Sequence, residues 1–535
     1  MNQNSRPANV ARAVSIGLGV SSILWSLPCQ AETLADAIAF AYQSNPTLQS
    51  QRAQVRSIDE TYVQAASQYG PTVQVEVRAR YTQNQLRDTF QGSTRLPDTT
   101  IGANLGSAQV SVSQPLYTGG RATLDTRAAT FGIRAAREAL RITEGDIIFA
   151  VIQSYVDVLR DQAALDIREK NLAAISSQLA EIRARRRAGE ITRTDVAQAE
   201  AQLAAEEVNH ASAENQLRSS KIAYASVVGR NPGVLEPPPP LPNLPRSVAQ
   251  AWEIAEQTSP EFQQARLTEE QSRARVAASR TSNRPTLALR GSFSYQTRLI
   301  PFGNRDSDRA AVGELVLTKP LFSGGLNSSV TRQATERNTA DRIAIEAARR
   351  AMIQSTSNAW NQIITFRLNV EIENRQVEAA ALAFKGMRIE YRAGQRSTFD
   401  VLIAEQVLRD AELARISFEH DAYLAEALLL RFVGRLDANA IVEALPRYDP
   451  SENFRRVQNK GALPWEPLIR QLDSLFTPTP RQRAIPAPDA ATDPVMSPAK
   501  VRDLSQAKPV SIIPVEPVPG TVSNSPPPLV RERPR

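Results

Sequence analysis

The sequence has a single cysteine, Cys29, and two histidines among 535 residues. That excludes a disulfide framework, a zinc finger and a multi-cysteine metal site. No Ser-His-Asp or Cys-His set is available, and no Gly-rich phosphate loop stands between a strand and a helix. The chain is therefore not expected to be an enzyme, and no cofactor is expected. An excess of one charge is lacking too: 63 basic residues face 56 acidic ones, for a net charge of +7. With no dominant basic block, nucleic acid is not an expected partner. Mean hydropathy is −0.33, and past the N-terminus there is no apolar run of 18 residues. Both argue against a helical membrane span. A membrane β-barrel is compatible with them, because its strands alternate and leave little trace in average hydropathy.

What is present begins with an address. Residues 1–31 read as a secretory signal: Arg6 and Arg12 supply the charged start, and Ala13 to Leu27 is a short apolar stretch. Cys29-Gln30-Ala31 places small residues where cleavage needs them, so the cut is expected before Glu32. Pro28 argues against Cys29 as a lipidated residue.

The rest of the chain is written twice. Gln114-Pro115-Leu116-Tyr117-Thr118-Gly119-Gly120 recurs as Lys319-Pro320-Leu321-Phe322-Ser323-Gly324-Gly325, an offset of 205. At the same offset, Arg187-Ala188-Gly189 recurs as Arg392-Ala393-Gly394, and Val228-Gly229-Arg230 as Val433-Gly434-Arg435. Upstream, Pro71-Thr72 matches Pro285-Thr286 at an offset of 214, so the first copy carries the longer loop between its strands. The expected organisation is a first repeat over 32–230, with a β-hairpin at 71–115 and a helical hairpin at 121–229. A linker follows at 231–247. The second repeat covers 248–435, with its β-hairpin at 285–320 and its helical hairpin at 326–434. Each repeat should open on one helical stretch of about 35 residues (Leu34 to Tyr69; Val248 to Ser282). Arg121 to Arg187 and Leu326 to Arg392 then predict helices roughly 100 Å long. Thr192 and Ser397 are N-cap candidates for the return helices.

The strand segments have two unlike faces. Val73, Val75, Val77, Ala79 and Tyr81 alternate with Thr72, Gln74, Glu76, Arg78 and Arg80. Ala108, Val110 and Val112 do the same, as do Leu287, Leu289, Phe293 and Tyr295; the segment around Glu314 to Lys319 is noisier. Four such strands cannot close a membrane barrel, which needs at least about eight, so several chains must contribute. The helices carry heptads: Val158, Leu165, Leu172 and Leu179 are matched by Ile363, Val370, Val377 and Phe384. A strict seven-residue repeat implies left-handed supercoiling. His210 and Arg415, at equivalent places in the return helices, read as polar breaks in the seam.

The ordered, repeated set P-L-[YF]-[TS]-G-G and A-G-x-x-[TS]-x-x-D-V, between a signal peptide and a doubled helical hairpin, resembles the TolC family of outer-membrane channel proteins. The resemblance covers about Glu32 to Arg435. It implies a mainly α fold with β: a homotrimer whose twelve strands form a β-barrel in outer-membrane lipid, continued by a periplasmic α-helical barrel. It implies a passive duct for efflux or type I secretion, opened by a periplasmic adaptor protein and an inner-membrane pump or ABC transporter. It further implies a gate at the helical turns, carried here by Thr194, Asp195, Tyr391, Arg396 and Asp400, with a salt bridge from Asp195 to Arg396. Three copies of Asp400 would form an acidic ring. The family's second acidic position is Ile403 here, so a hydrophobic constriction is expected in its place. Carboxylates in a first helical turn also serve as caps, and both roles stay open for Asp195 and Asp400. Adaptor contact is implied at Ala188, Gly189, Glu190, Ala393, Gly394 and Gln395.

Pro237-Pro238-Pro239-Pro240 stiffens the linker. Eighteen of the 35 prolines fall between Pro446 and Pro534. Residues 436–474 are therefore assigned as an equatorial segment beside the linker, and 475–535 as a disordered tail. A structural coiled-coil stalk or adhesin of the cell envelope is the alternative. It explains the heptads and the export signal, but not strand pairs recurring at matched places.

Overall fold

A computed structural model describes residues 32–86, 89–91, 94–96, 99–298, 307–442 and 448–475. The signal segment and the tail beyond 475 lie outside them. The expected opening stretch of about 35 residues is divided. Helix α1 (Leu34–Ser44) ends where Asn45 caps α2 (Pro46–Ala66), and α5 (Val248–Thr258) gives way to α6 (Pro260–Arg280) in the same manner. The cause is local. Proline fits the first position of a helix but has no N–H to extend the one before it. Asn45 Oδ1 accepts from the amides of Thr47 and Leu48 at 3.0 and 3.3 Å, which starts the second helix.

Strands β1 (Thr72–Leu86), β4 (Thr99–Tyr117), β5 (Thr286–Arg298) and β6 (Ser307–Thr318) form one antiparallel sheet in the order β1-β4-β5-β6, while β2 (Thr89–Gln91) and β3 (Thr94–Leu96) form a small ribbon. The β4–β5 pairing joins the two repeats edge to edge. Register gathers the apolar residues on one side: Val75 lies opposite Val110, Val110 opposite Phe293, and Phe293 opposite Ala311. That side is bare, with Val73, Val75, Val77 and Tyr81 each more than 60% exposed. The other side is polar and concave, lined by Gln74, Gln109, Ser111, Ser292, Arg290 and Glu314. The noise in β6 has a cause. Leu315 and Leu317 face Leu289 and Leu287 on the apolar side, but Val312 and Val316 fall on the polar side.

Below the sheet run α3 (Arg121–Arg187) and α4 (Arg193–Val228), then α7 (Leu326–Arg392) and α8 (Thr398–Phe432), two long antiparallel hairpins. The heptad stripes turn inward, with Val158, Leu165, Leu179, Val196, Leu217 and Tyr224 buried. Midway along, the core tightens around polar anchors. Glu32 accepts from Tyr224 at 2.5 Å and from Arg230 at 2.8 Å, and Tyr155 donates to the carbonyls of Glu32 and Glu236 at 2.8 and 2.6 Å. His420 on α8 lies 2.8 Å from Asp157 on α3. The proline-rich linker crosses here, its Pro239 carbonyl accepting from Tyr423 at 3.0 Å.

The two hairpins are buried unequally. Helix α3 packs between α2, α4, α6 and α8, whereas α7 meets α5, α6 and α8. The remaining flank of α7 leaves Ile343, Leu368, Leu382 and Ile389 more than half exposed.

The C-terminal segment differs from the expected patch beside the linker. Helix α9 (Ala438–Ile441) stays near α1, but α10 (Pro450–Val457) lies along α2. There Asn453 bonds Asp59 at 2.9 Å and Phe454 meets Tyr62 edge-on. Helix α11 (Glu466–Leu475) reaches the foot of the sheet. Its Asp473, fully buried, accepts from the Thr118 amide and hydroxyl, the Gly120 amide and the Thr123 hydroxyl, all within 3.0 Å. Ile469 packs with Tyr69 and Ala122. Asp473→Ala strips several buried donors of their acceptor, at a cost of about 2 kcal/mol. Hydrogen exchange should then accelerate over 462–475 while the α3–α4 coil stays protected; unchanged exchange in α11 would show that its apolar contacts alone hold it.

Candidate functional site

The ends of the long hairpins, farthest from the sheet, bring most of the sequence-selected residues together. Each outgoing helix closes in the same way. Gly189 and Gly394 adopt φ of +81° and +74°, which glycine tolerates without steric cost. Glu190 N then donates to Arg185 O at 3.1 Å and Gln395 N to Glu390 O at 2.9 Å. Ala188, Gly189, Glu190, Ala393, Gly394 and Gln395 are all exposed at these turns.

The return helices start on matching capping boxes. Asp195 Oδ2 accepts from the Thr192 amide and hydroxyl, both at 2.9 Å, while Thr192 Oγ1 accepts from Asp195 N. Ser397 and Asp400 repeat this at 3.1 and 2.9 Å. The bonds from Ser397, with help from Arg396, hold the Asp400 carboxyl below the usual carboxylate range. Asp400 therefore stays ionised throughout the neutral range; its contribution to the cap is present above about pH 4, and is lost as pH falls through the lowered pKa.

Beneath the first turn, Leu179, Ile182, Val196 and Ala199 form a small core that fixes it. Thr194 is exposed. Arg396 pairs with Glu390 at 2.8 Å, and Asp195 is held in its own cap. The expected Asp195–Arg396 pair is not formed among the described residues of one chain. The link between the two tips runs instead through a residue outside the expected gate set. Arg185 donates to Tyr391 Oη at 2.6 Å and to Glu190 at 2.9 Å, and its guanidinium lies 5.2 Å from the centre of the Tyr391 ring. Bonding to Glu190, then the presence of Tyr391, raises the Arg185 pKa. The one available signal was an acid placed five residues after an arginine across a glycine turn. Higher up, Gln178 donates to Glu405 at 2.7 Å and joins the coils a second time. Val401, Leu402 and Ala404 are buried, while Ile403 is 44% exposed.

Two unlike ends thus belong to one rod: a bare apolar sheet and a polar tip roughly 100 Å of helix away. Among the described residues no helix is long and apolar enough to cross a membrane. The family model for outer membrane efflux proteins matches residues 37–230 and 252–435, the two repeats. The chain belongs to the outer membrane efflux protein family. It is 30% identical over 451 residues to the outer membrane efflux protein BepC of Brucella suis, covering 84% of this chain and 95% of that one. It is 27% identical to the outer membrane protein TolC of Vibrio cholerae, over 80% and 96% of the two chains. The fold matches the CmeC outer membrane channel of Campylobacter jejuni with a TM-score of 0.66 at 15% identity, over 85% of this chain and 97% of that one. Membership makes this protein an outer-membrane exit duct, of a family that works with adaptor proteins and inner-membrane pumps.

Arg185→Ala should quicken amide exchange at both turns, 185–196 and 391–400. Arg186→Ala, at an exposed neighbouring position, should leave both unchanged. A response confined to the first turn would mean that the Tyr391 bond does not couple the tips.

Proposed function

We propose that three copies of the chain close the sheet into a twelve-stranded barrel wall, and that the hairpin tips form the gate of the duct. The observation that carries this reading is the set of open edges. β1 and β6 each have a strand on one side only. The flank that α3 uses to meet α6 and α8 of the second repeat is, on α7, the exposed stripe of Ile343, Leu368 and Leu382. By the repeat, the neighbour's α2 is the natural partner for that stripe, and the neighbour's β1 for β6. Such closure puts the apolar side of the sheet outward against lipid and the concave polar side inward around water.

At the far end, closure brings three copies of Asp400 around one axis. Fixed by their caps and ionised, they make a ring that favours cations. Ile403, half a turn to one turn further along and exposed, supplies an apolar constriction next to it. Thr194, Asp195 and Arg396 stand where one copy meets the next, and the Asp195–Arg396 bridge belongs to that contact. The exposed turns at Ala188–Glu190 and Ala393–Gln395 are the surface offered to the adaptor. Opening then amounts to parting the tips, with the energy supplied by the inner-membrane pump.

In planar bilayers the purified protein should conduct weakly and prefer cations. Asp400→Ala with Arg396→Ser should raise conductance and reduce the cation preference. A tight trimer that stays silent after both substitutions rules out a gate at these residues. A monomer in mild detergent removes the closed barrel altogether. The cation preference should hold from neutral pH down to about pH 4 and fade below it, because the Asp400 pKa is lowered.

A further inference from the structure

Helix α11 carries a surface that neither the duct nor the gate uses. Its inward stripe is Glu466, Ile469 and Asp473, each at most 8% exposed. About 100° around the helix, Trp465, Leu468 and Leu472 form a second stripe, which is 49%, 64% and 44% exposed. Such spacing at i, i+3 and i+7 is an apolar helix face, and here it faces away from the shaft.

Its position says what covers it. The Trp465 indole donates to Gln114 Oε1 at 3.3 Å. Gln114 lies two residues beyond Val112 and opposite Leu289, so it belongs to the apolar side of the sheet. α11 therefore sits at the foot of the sheet, and its bare stripe continues that apolar surface. The polar side of α11 points elsewhere, with Arg470 bonded to Glu466 at 2.7 Å and set over the Tyr69 ring. An amphipathic helix at the rim of a lipid-facing sheet, with tryptophan at its end, has the make-up of a segment lying in a membrane interface.

We propose that α11 is an interfacial membrane helix, whose Trp465, Leu468 and Leu472 lie in the phospholipid leaflet at the foot of the barrel. This rests on the reading of the sheet as a barrel wall in lipid. Asp473 latches the helix to the Thr118–Gly120 turn, and the stripe floats the turn on the leaflet. Each copy adds one such float, so the trimer is levelled at three points.

The test uses the full chain in vesicles of phosphatidylethanolamine and phosphatidylglycerol that carry doxyl-labelled lipid. Trp252 and Trp360 are replaced by phenylalanine, which leaves Trp465 as the reporter in the chain from Glu32 onward. Its emission should be strongly quenched by a label near the headgroup, less by a label deep in the acyl chain, and little by iodide in the water. Phe293→Trp, in a chain with Trp465 also replaced by phenylalanine, reports on the sheet. Quenching by lipid at position 293 but not at Trp465 would overturn the proposal and leave the barrel standing, whether water or another part of the protein covers the stripe. Absence of lipid quenching at both positions would overturn the barrel reading as well.

Discussion

The backbone polar groups along the outer edges of β1 and β6 are the constraint on which the rest depends. In a four-stranded sheet they have no strand partner. In water such an edge is a hazard that proteins blunt with charge or bulges. In lipid it is excluded, because each unsatisfied group costs several kcal/mol. The apolar side of the sheet, with Val73, Val75 and Val77 bare, asks for lipid. The proposed closure answers both demands at once, with the edges of another copy as the partners. The flank of α7 repeats the argument in helical terms. Its exposed apolar stripe occupies the place where α3 is covered by α6 and α8. Sheet and shaft thus call for the same neighbour in the same relative position.

Closure at one end sets the problem at the other. Under the proposed closure the long helices deliver their polar turns to a common axis, where the groups at the turns would control passage. Asp195 and Asp400 are held by capping boxes within their own chain. Their side chains are therefore oriented before any copy meets another. Arg185 does similar work between coils by tying Tyr391 and Glu190 together. In the gate proposed above, groups fixed in this way would move with the tips as rigid units rather than as loose side chains. The buried Leu179, Ile182 and Val196 beneath the first turn serve the same end.

Periodicity is what made the fold legible. The two 67-residue helices and the alternating strands repeat their pattern over many residues, and the 205-residue offset doubles the signal. Features set by single residues were harder to read. Pro46 and Pro260 each start a new helix inside the expected stretch. Val312 and Val316 obscured β6 because they point to the polar side. At the tips, the capping boxes were visible as sequence motifs. The partners of Arg185 and Arg396 were not, since they depend on how a glycine turn folds acid back on base and how one coil leans on the other. Asp473 lies 355 residues from Thr118, and no local pattern announces such a bond.

The bond of Asp473 also separates two roles within the repeated P-L-[YF]-[TS]-G-G motif. In the first half its donors hold a carboxylate. The second half keeps the corresponding groups, Ser323, Gly325 and Ser328, and there Ser328 donates to Gly325 O at 2.8 Å within its own turn. What the two halves share is backbone geometry: Gly120 and Gly325 both have φ of +84° and both stand immediately before a 67-residue helix. The glycine pair is thus required by the strand-to-helix turn, whichever side chains lie near it. Capture of α11 is an addition made on one half only, where the C-terminal segment arrives after running along α2. It breaks the near-equivalence of the two repeats at the foot of the sheet. In the proposed trimer, a wall nearly sixfold in its strands and helices would become threefold at the level of α11.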